Sequence, residues 1–439
     1  MINKKSKFYL ALVIFSLVGQ IAWVIENMYF NVFIYKMFNA SAEDISLMVA
    51  LSAVTATATT IFIGALSDKI GKRKVFMCGG YVIWGITILA FAGIRLDIIS
   101  SLFGATVSAT SIAITLVIIM DCVMTFFGSS ANDACFNAWL TESVDQSERG
   151  KAEGINSMMP LVAILVVFGG FMFFDQNLAS SWTAIFIIIG VIVLAIGILG
   201  FFIIDESAVK TEENTGYFKN IFYGFRPSVI KENFVLYVCL ILFALFGISF
   251  QIIMPYIIIY YEKTLEMANY VFVFAPAIVI ASVFTFFYGR VYDKKGFKFS
   301  AVPALILLSV GYLSLFIFKS TPLVFIGTTL MMSGNLAGGA VFGAVVRDNI
   351  PQNKAGMFQG LRIIGQVLIP GVVGPMIGSA VLKNATKIPS GDGTLVFLPN
   401  ANIFLASFIV SIVLIALLFL SFILIKNFKR KEQTEEVAK

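Results

Sequence analysis

Four ionisable side chains stand inside stretches otherwise suited to hydrocarbon: Glu26, Asp121, Asp133 and Arg362. Such a group is costly in a bilayer unless it faces a cavity or a partner, so each is a candidate functional residue. Glu26 and Asp121 are the candidates for proton coupling. A carboxyl group in a dry cavity holds a proton and releases it when water gains access. The chain contains no His to share that task. Around Glu26, the residues Gln20, Trp23, Asn27 and Asn31 fall nearly on one helical face, at steps of 3, 7 and 11 residues. Trp offers a flat stacking surface and the amides offer paired donors and acceptors, a set that suits a hydroxyl-rich small molecule. Helix packing with buried hydrogen bonds is the competing explanation of the same stripe. Thr125 and Asn132 share the face of Asp121 and extend the candidate binding set. Gln251 and Asn335 are the polar residues of the second half placed to complete it. Asp133 and Arg362 lie nearer the cytoplasmic ends of their runs and read as members of a gate or scaffold ion-pair group.

Other chemistries are absent. Cys78, Cys122, Cys135 and Cys239 lie in apolar runs without metal-ligand spacing. No phosphate-binding loop of the G-x-x-x-x-G-K-[ST] type occurs. Nor is there a nucleophile–base group. An enzyme, a cofactor and a bound metal are therefore not expected.

The elements that must carry these residues follow from composition. The chain has 439 residues, 59% hydrophobic and 13% charged, with mean hydropathy +0.93. It is too apolar to cover a water-facing surface of its size, since soluble domains hold about 25% charged residues. Twelve apolar runs fit the length: 9–35, 44–66, 75–94, 107–138, 154–175, 181–204, 234–260, 268–289, 300–318, 322–346, 357–381 and 401–426. They do not alternate as barrel strands would, so the expectation is an all-α polytopic membrane protein with 12 transmembrane helices. The first run is too long for a signal peptide and holds Glu26, so it is read as an uncleaved span.

Charge gives the orientation. With the N-terminus cytoplasmic, 24 Lys and Arg fall in inner segments and 6 in outer ones, the bias expected for both termini inside. That placement accounts for the net charge of +6 without a nucleic-acid partner. The expected domains are a six-helix bundle over 1–204, a cytoplasmic linker over 205–233, a second six-helix bundle over 234–426 and a charged tail over 427–439. Tyr217, Ile221, Phe222 and Phe225 have the spacing of a short surface helix in the linker. The outer loop 382–400 reads as turns.

The halves echo one another. "GALSDKIGKRK" from Gly64 returns as "GRVYDKKGFKF" from Gly289, so that Gly64, Asp68, Lys69 and Gly71 recur 225 residues later as Gly289, Asp293, Lys294 and Gly296. A second echo, 206 residues apart, pairs Glu142 with Asp348, Gly150 with Gly356 and Gly154 with Gly360. In these loops Gly71 and Gly296 allow a tight turn, and Gly64 and Gly289 are expected to permit close helix approach. The acids and bases, with Arg73, make a candidate conformational latch at the inner face. A topology anchor is the plainer reading of a single copy, and duplication favours the latch.

The first loop resembles the hallmark loop between the second and third helices of major facilitator superfamily transporters, and the second resembles its weaker second-half copy. The resemblance implies a cytoplasmic gate lock built from Asp68, Lys69, Arg73, Asp293 and Lys294, to which Glu142 and Asp348 belong by position. "QIAWVIENMYFNVFIY" and "AWLTESVDQSERGKAEGI" are similar to the glycoside-pentoside-hexuronide:cation symporters and sucrose-type carriers. The melibiose carriers of that group have paired Asp residues in the second helix. This chain has Thr55, Thr57, Thr59 and Thr60 there, and no carboxylate between Asp44 and Asp68. The resemblance thus implies a secondary active transporter working by alternating access, with the proton favoured over sodium as coupling ion and a sugar or glycoside taken up. Export of drugs or other amphipathic molecules on the same fold is the alternative, kept open by 44 Phe residues. A monomer is expected, surrounded by lipid in a bacterial inner or plasma membrane.

Overall fold

The structure is a computed structural model, and it describes residues 4–103, 108–144, 148–205, 223–350, 355–390 and 393–437. Among these, eleven helices are long and apolar enough to cross a membrane. One of them, Val271–Ile317, has 47 residues, about 70 Å at 1.5 Å per residue and far more than one bilayer. It breaks at Gly296, where φ is 74° and ψ is −177°. The break separates the eighth and ninth spans, so the chain makes twelve crossings and both termini lie on one side.

Local sequence explains the boundaries. Span 2 starts with a capping box, in which Ser41 accepts from the Asp44 backbone and Asp44 accepts from the Ser41 backbone. It ends on Gly71 in the left-handed region, a conformation that glycine adopts without a Cβ clash. Gly71 and Gly296 therefore do as the loop echo requires. Gly64 and Gly289 do not bring helices together. A Cβ on Gly64 would meet Ala134 at an ordinary 3.9 Å, and one on Gly289 would meet nothing within 4 Å.

Among the described residues, three spans and the segment after the seventh depart from regular α-helix. π-helical turns occupy Ile25–Tyr29 in the first span, Ser129–Phe136 in the fourth, Tyr260–Thr264 after the seventh and Ile364–Leu368 in the eleventh. Such turns concentrate at functional sites, and the first two contain or adjoin the polar residues singled out above. In the eleventh span this turn lies just ahead of the Pro370–Pro375 stretch.

The chain divides into two compact units. The first unit holds residues 1–217 together with 255–264 and 383–398, and the second holds 218–254, 265–382 and 399–439. In the first unit, span 3 (Arg73–Phe91) packs closely along span 6 (Ala179–Ile203). Gly85 lies where a Cβ would sit 2.4 Å from the backbone of Leu194. An aromatic cluster of Phe30, Phe33, Phe91, Phe171, Trp182 and Phe186 fills this unit between spans 1, 3, 5 and 6. In the second unit, span 9 meets span 10 (Thr321–Asp348) at Gly311 and Gly334, each against the other helix's backbone. The loop 383–398 contains a short antiparallel hairpin, β1 (Lys387–Pro389) and β2 (Leu395–Phe397), where turns alone were expected. Linker residues 206–222, with Tyr217, Ile221 and Phe222 of the expected surface helix, lie outside the described residues. Beyond them come one short turn, Tyr223–Phe225, and a helix, Pro227–Glu232. The tail does not leave the last span, whose helix runs on to Val437.

The close approach at Gly85 makes a prediction. Gly85→Ala should destabilise the purified protein by about 1–3 kcal/mol, as overpacked cores are, and lower Tm in detergent. Gly169→Ala, with nothing within 4 Å, should leave Tm unchanged or raise it. Equal Tm values for the two variants would contradict this packing.

Candidate functional site

Glu26 sits inside the π turn of the first span and is only 6% exposed. Its Oε1 accepts hydrogen bonds from Ser52 of span 2 and Thr125 of span 4, each at 2.8 Å. Ser52 Oγ and Thr125 Oγ1 are also 2.8 Å from one another. Glu26 Oε2 is buried without a partner. Asp121, 2% exposed on span 4, lies near enough for its charge to interact with that of Glu26, and its Oδ1 also lacks a partner. Among the described residues neither carboxylate has an ion-pair partner. Two acids with free buried oxygens thus lie at the junction of spans 1, 2 and 4, with Thr125 fully buried between those helices.

The stripe beside Glu26 is rearranged by the π turn, which inserts an extra residue into the helical repeat. Asn27 is exposed, whereas Asn31 is fully buried. The Asn27 amide donates to the Trp23 carbonyl at 2.8 Å, and the Asn31 amide to the Asn27 carbonyl at 3.0 Å. The Trp23 indole N–H donates to Asn132 Oδ1 at 3.3 Å, and Asn132 Nδ2 donates to the Tyr81 hydroxyl at 2.7 Å. Tyr81 in turn donates to the Phe15 carbonyl. Trp23 packs against Trp84 with ring centroids 5.1 Å apart. Trp23, Asn31 and Asn132 are therefore joined in an internal network. Gln20 is half-buried beside it.

At the inner ends the duplicated loops are tied alike within each unit. Arg73 pairs with Glu142 at 2.7 Å and also donates to Ser67. In the second unit Tyr292, the counterpart of Ser67 at the 225-residue offset, donates to Asp348. Lys298 stands at the position of Arg73 and lies over the Phe422 ring at 5.6 Å. Lys69, Asp293 and Lys294 are exposed. The Asp68 side chain lies outside the described residues. Asp133 is half-buried on the π turn of span 4. At the same rim Lys5 pairs with Glu148, and this hydrogen bond holds Glu148 below the ordinary carboxylate range.

The model of the Major Facilitator Superfamily matches residues 9–375. The chain belongs to the Major Facilitator Superfamily. No curated relative matches it. Solved structures of the same fold include a D-xylose–proton symporter, with TM-score 0.74 and 14% identity over 95% of this chain and 97% of that one. A bacterial homologue of the human lysosomal transporter Spinster, inward-facing and unoccupied, has TM-score 0.70 and 15% identity over 96% and 97%. The nucleoside transporter NupG has TM-score 0.69 and 13% identity over 94% and 98%. At such identities the likeness shows the fold alone. Family and fold together make this chain a multi-pass integral membrane transporter and not an enzyme.

The second half of this major facilitator protein contributes fewer polar groups. Gln251 closes span 7 against Gly374, where a Cβ would be 2.5 Å from that of Gln251. Asn335 is half-buried on span 10. Arg362 donates to Gln366 at 3.3 Å. Two elements escaped the sequence reading. Ser52 is one hydroxyl in a helix full of Thr, Ser and Ala, and nothing in its spacing singles it out. Lys36 forms a buried ion pair with Glu262 at 2.7 Å, 226 residues away, and no local pattern joins them.

The Arg73–Glu142 tie is testable by a double-mutant cycle. Arg73→Gln and Glu142→Gln should each lower stability, with a coupling of about 0.5–3 kcal/mol in the double variant. Additive losses in thermal unfolding would show that the pair contributes nothing.

Proposed function

We propose that this transporter takes up a sugar or glycoside together with a proton, by alternating access. The observation that carries the reading is the pair Glu26 and Asp121: two buried carboxyls without a cationic partner, each with an unpartnered oxygen. Such groups suit protons, which neutralise them when water is excluded and leave when it returns. Span 2 supplies hydroxyls here and no acid pair, which supports the proton over sodium.

The hydroxyl-rich substrate class is supported by amides and hydroxyls near the acids. Asn27, Gln20 and Thr125 are assigned to the ligand from the first half, and Gln251 and Asn335 from the second. Trp23, Asn31 and Asn132 act behind them, as the hydrogen-bonded frame that orients the site. The aromatic excess that kept an amphipathic-drug exporter in view is partly taken up in packing of the first unit, as in the Phe30–Phe186 cluster. The sugar and nucleoside transporters on this fold are in keeping with a polyhydroxylated ligand, and the assignment rests on the residues. The inner ties Arg73–Glu142 and Tyr292–Asp348, with Asp68, Lys69, Asp133, Asp293, Lys294 and Arg362, are assigned to gating at the cytoplasmic side of the cell membrane.

The test is uptake of a radiolabelled sugar panel into liposomes holding the purified protein, under an imposed pH gradient and separately under a sodium gradient. At least one sugar should accumulate with the pH gradient, and Glu26→Gln and Asp121→Asn should each reduce that accumulation to background. Wild-type pH dependence in both variants, or accumulation driven by sodium alone, would sink the reading.

A further inference from the structure

We propose that Glu26 Oε1, Ser52 Oγ and Thr125 Oγ1 form a closed three-oxygen ring whose third hydrogen is the coupling proton, with Ser52 and Thr125 as the residues that position it. The inference rests on the proton-coupled reading and deepens it to a named atom.

Each edge of the ring is 2.8 Å, the usual separation of an O–H···O hydrogen bond. Three edges need three hydrogens. The two hydroxyls supply one each, and an ionised carboxylate supplies none. With Glu26 charged, one edge therefore brings two oxygens to hydrogen-bond distance with nothing between them. A proton on Oε1 closes the circuit. Glu26 donates to Ser52, Ser52 donates to Thr125, and Thr125 donates back to Glu26. A proton on Oε2 leaves the Ser52–Thr125 edge bare.

A second observation agrees. Glu26 Oε2 is buried without a partner. As half of a carboxylate anion it would be an unsatisfied charge in the interior. As the carbonyl oxygen of a neutral acid it bears a much smaller penalty. The same distances disfavour a cation as large as calcium in the ring. An ion with oxygen contacts of about 2.4 Å spreads its octahedral ligands to about 3.4 Å, wider than these edges.

The neighbouring ionisable groups do not fill the missing edge. Asp121 on span 4 faces Ser52 as well as the charge of Glu26, but a hydrogen that Asp121 gives to Ser52 lies outside the three ring edges. Asp133, also on span 4, acts on Glu26 through charge, Cys122 faces Thr55, and span 3 presents Tyr81, whose hydroxyl is engaged by Asn132 and Phe15. Loading takes the proton from water onto the carboxylate, and release returns it to water, with no oxidation or reduction. Because the ring members come from spans 1, 2 and 4, losing the proton removes one edge from the contact of three helices.

Infrared difference spectroscopy on the full-length protein in liposomes reads this directly, without a transported substrate. A protonated-carboxyl carbonyl band should be present and should vanish in Glu26→Gln. In the ring the carbonyl oxygen is Oε2, which has no partner, so the band should lie at the high frequency of a carbonyl that accepts no hydrogen bond, and Thr125→Val should leave it there. If the proton sits on Oε2 instead, Ser52 and Thr125 both donate to the carbonyl Oε1, the band lies at low frequency, and Thr125→Val moves it up. A low-frequency band that rises in Thr125→Val overturns the ring. So does a band that survives Glu26→Gln, or one abolished by sodium at fixed pH. Should Thr125→Val fail to fold, the band position of the unsubstituted protein tests the same point. Failure of sugar uptake under a pH gradient would overturn the transport reading and leave these spectra to decide the ring.

Discussion

A chain in hydrocarbon must satisfy its own backbone hydrogen bonds, and this requirement governs where polar side chains can be used here. A π turn changes the hydrogen-bond register and frees carbonyl groups. In the first span the amides of Asn27 and Asn31 dock onto the carbonyls of Trp23 and Asn27. In the fourth, the Asn137 amide reaches the carbonyls of Asn132 and Asp133 at 3.4 and 3.1 Å. Part of the polarity of these spans thus serves the irregular backbone. In return the π turn of span 1 sets Glu26 towards Ser52 and Thr125 on two other helices, and that of span 4 sets Asn132 towards Trp23 and Tyr81.

The same constraint explains how much was legible in the sequence. Span number and orientation follow from apolar run length and charge bias, the inner turns from Gly71 and Gly296, and the family from the resemblance carried by the loop sequence around them, all of which act locally. Glu26 and Asp121 stand out because an acid in an apolar run is anomalous wherever it points. The stripe Gln20–Trp23–Asn27–Asn31 assumed an uninterrupted 3.6-residue repeat, and the π turn at Ile25–Tyr29 breaks that phase. Nothing in residue types announces a π turn, so the exposure of Asn27 and the burial of Asn31 emerge only in three dimensions. Ser52 is legible only as a partner of Glu26. The helix-approach role expected for Gly64 and Gly289 falls instead to Gly85, Gly311 and Gly334, whose tight neighbours lie on other helices and leave no mark in the loop repeat.

The duplicated inner loops show how one geometry tolerates different chemistry. Glu142 and Asp348 occupy equivalent places and each holds the loop of its own unit. In the first the acid is met by a guanidinium, in the second by a phenol. A charged pair and a neutral donor respond differently to ionic strength. The two ties therefore differ in their response to salt, and the repeat in sequence does not imply equal behaviour in function.

The outer end of the first unit is organised on another principle. Only six basic residues fall in outer segments, and two of them, Lys36 and Lys263, converge on Glu262. The Lys36 side chain is 5% exposed and that of Glu262 14%. A pair so buried recovers little net stability, because desolvation offsets most of its attraction, yet removing one partner strands the other charge. Its effect is to specify. Around it the Tyr35 hydroxyl donates to the Phe397 carbonyl at 2.7 Å, Asn39 to Thr394 at 2.6 Å, and Tyr256 to the Ala42 carbonyl at 3.0 Å. These bonds attach residues 255–264 and the β1–β2 hairpin to the ends of spans 1 and 2. Both attached segments are flanked in sequence by helices of the second unit.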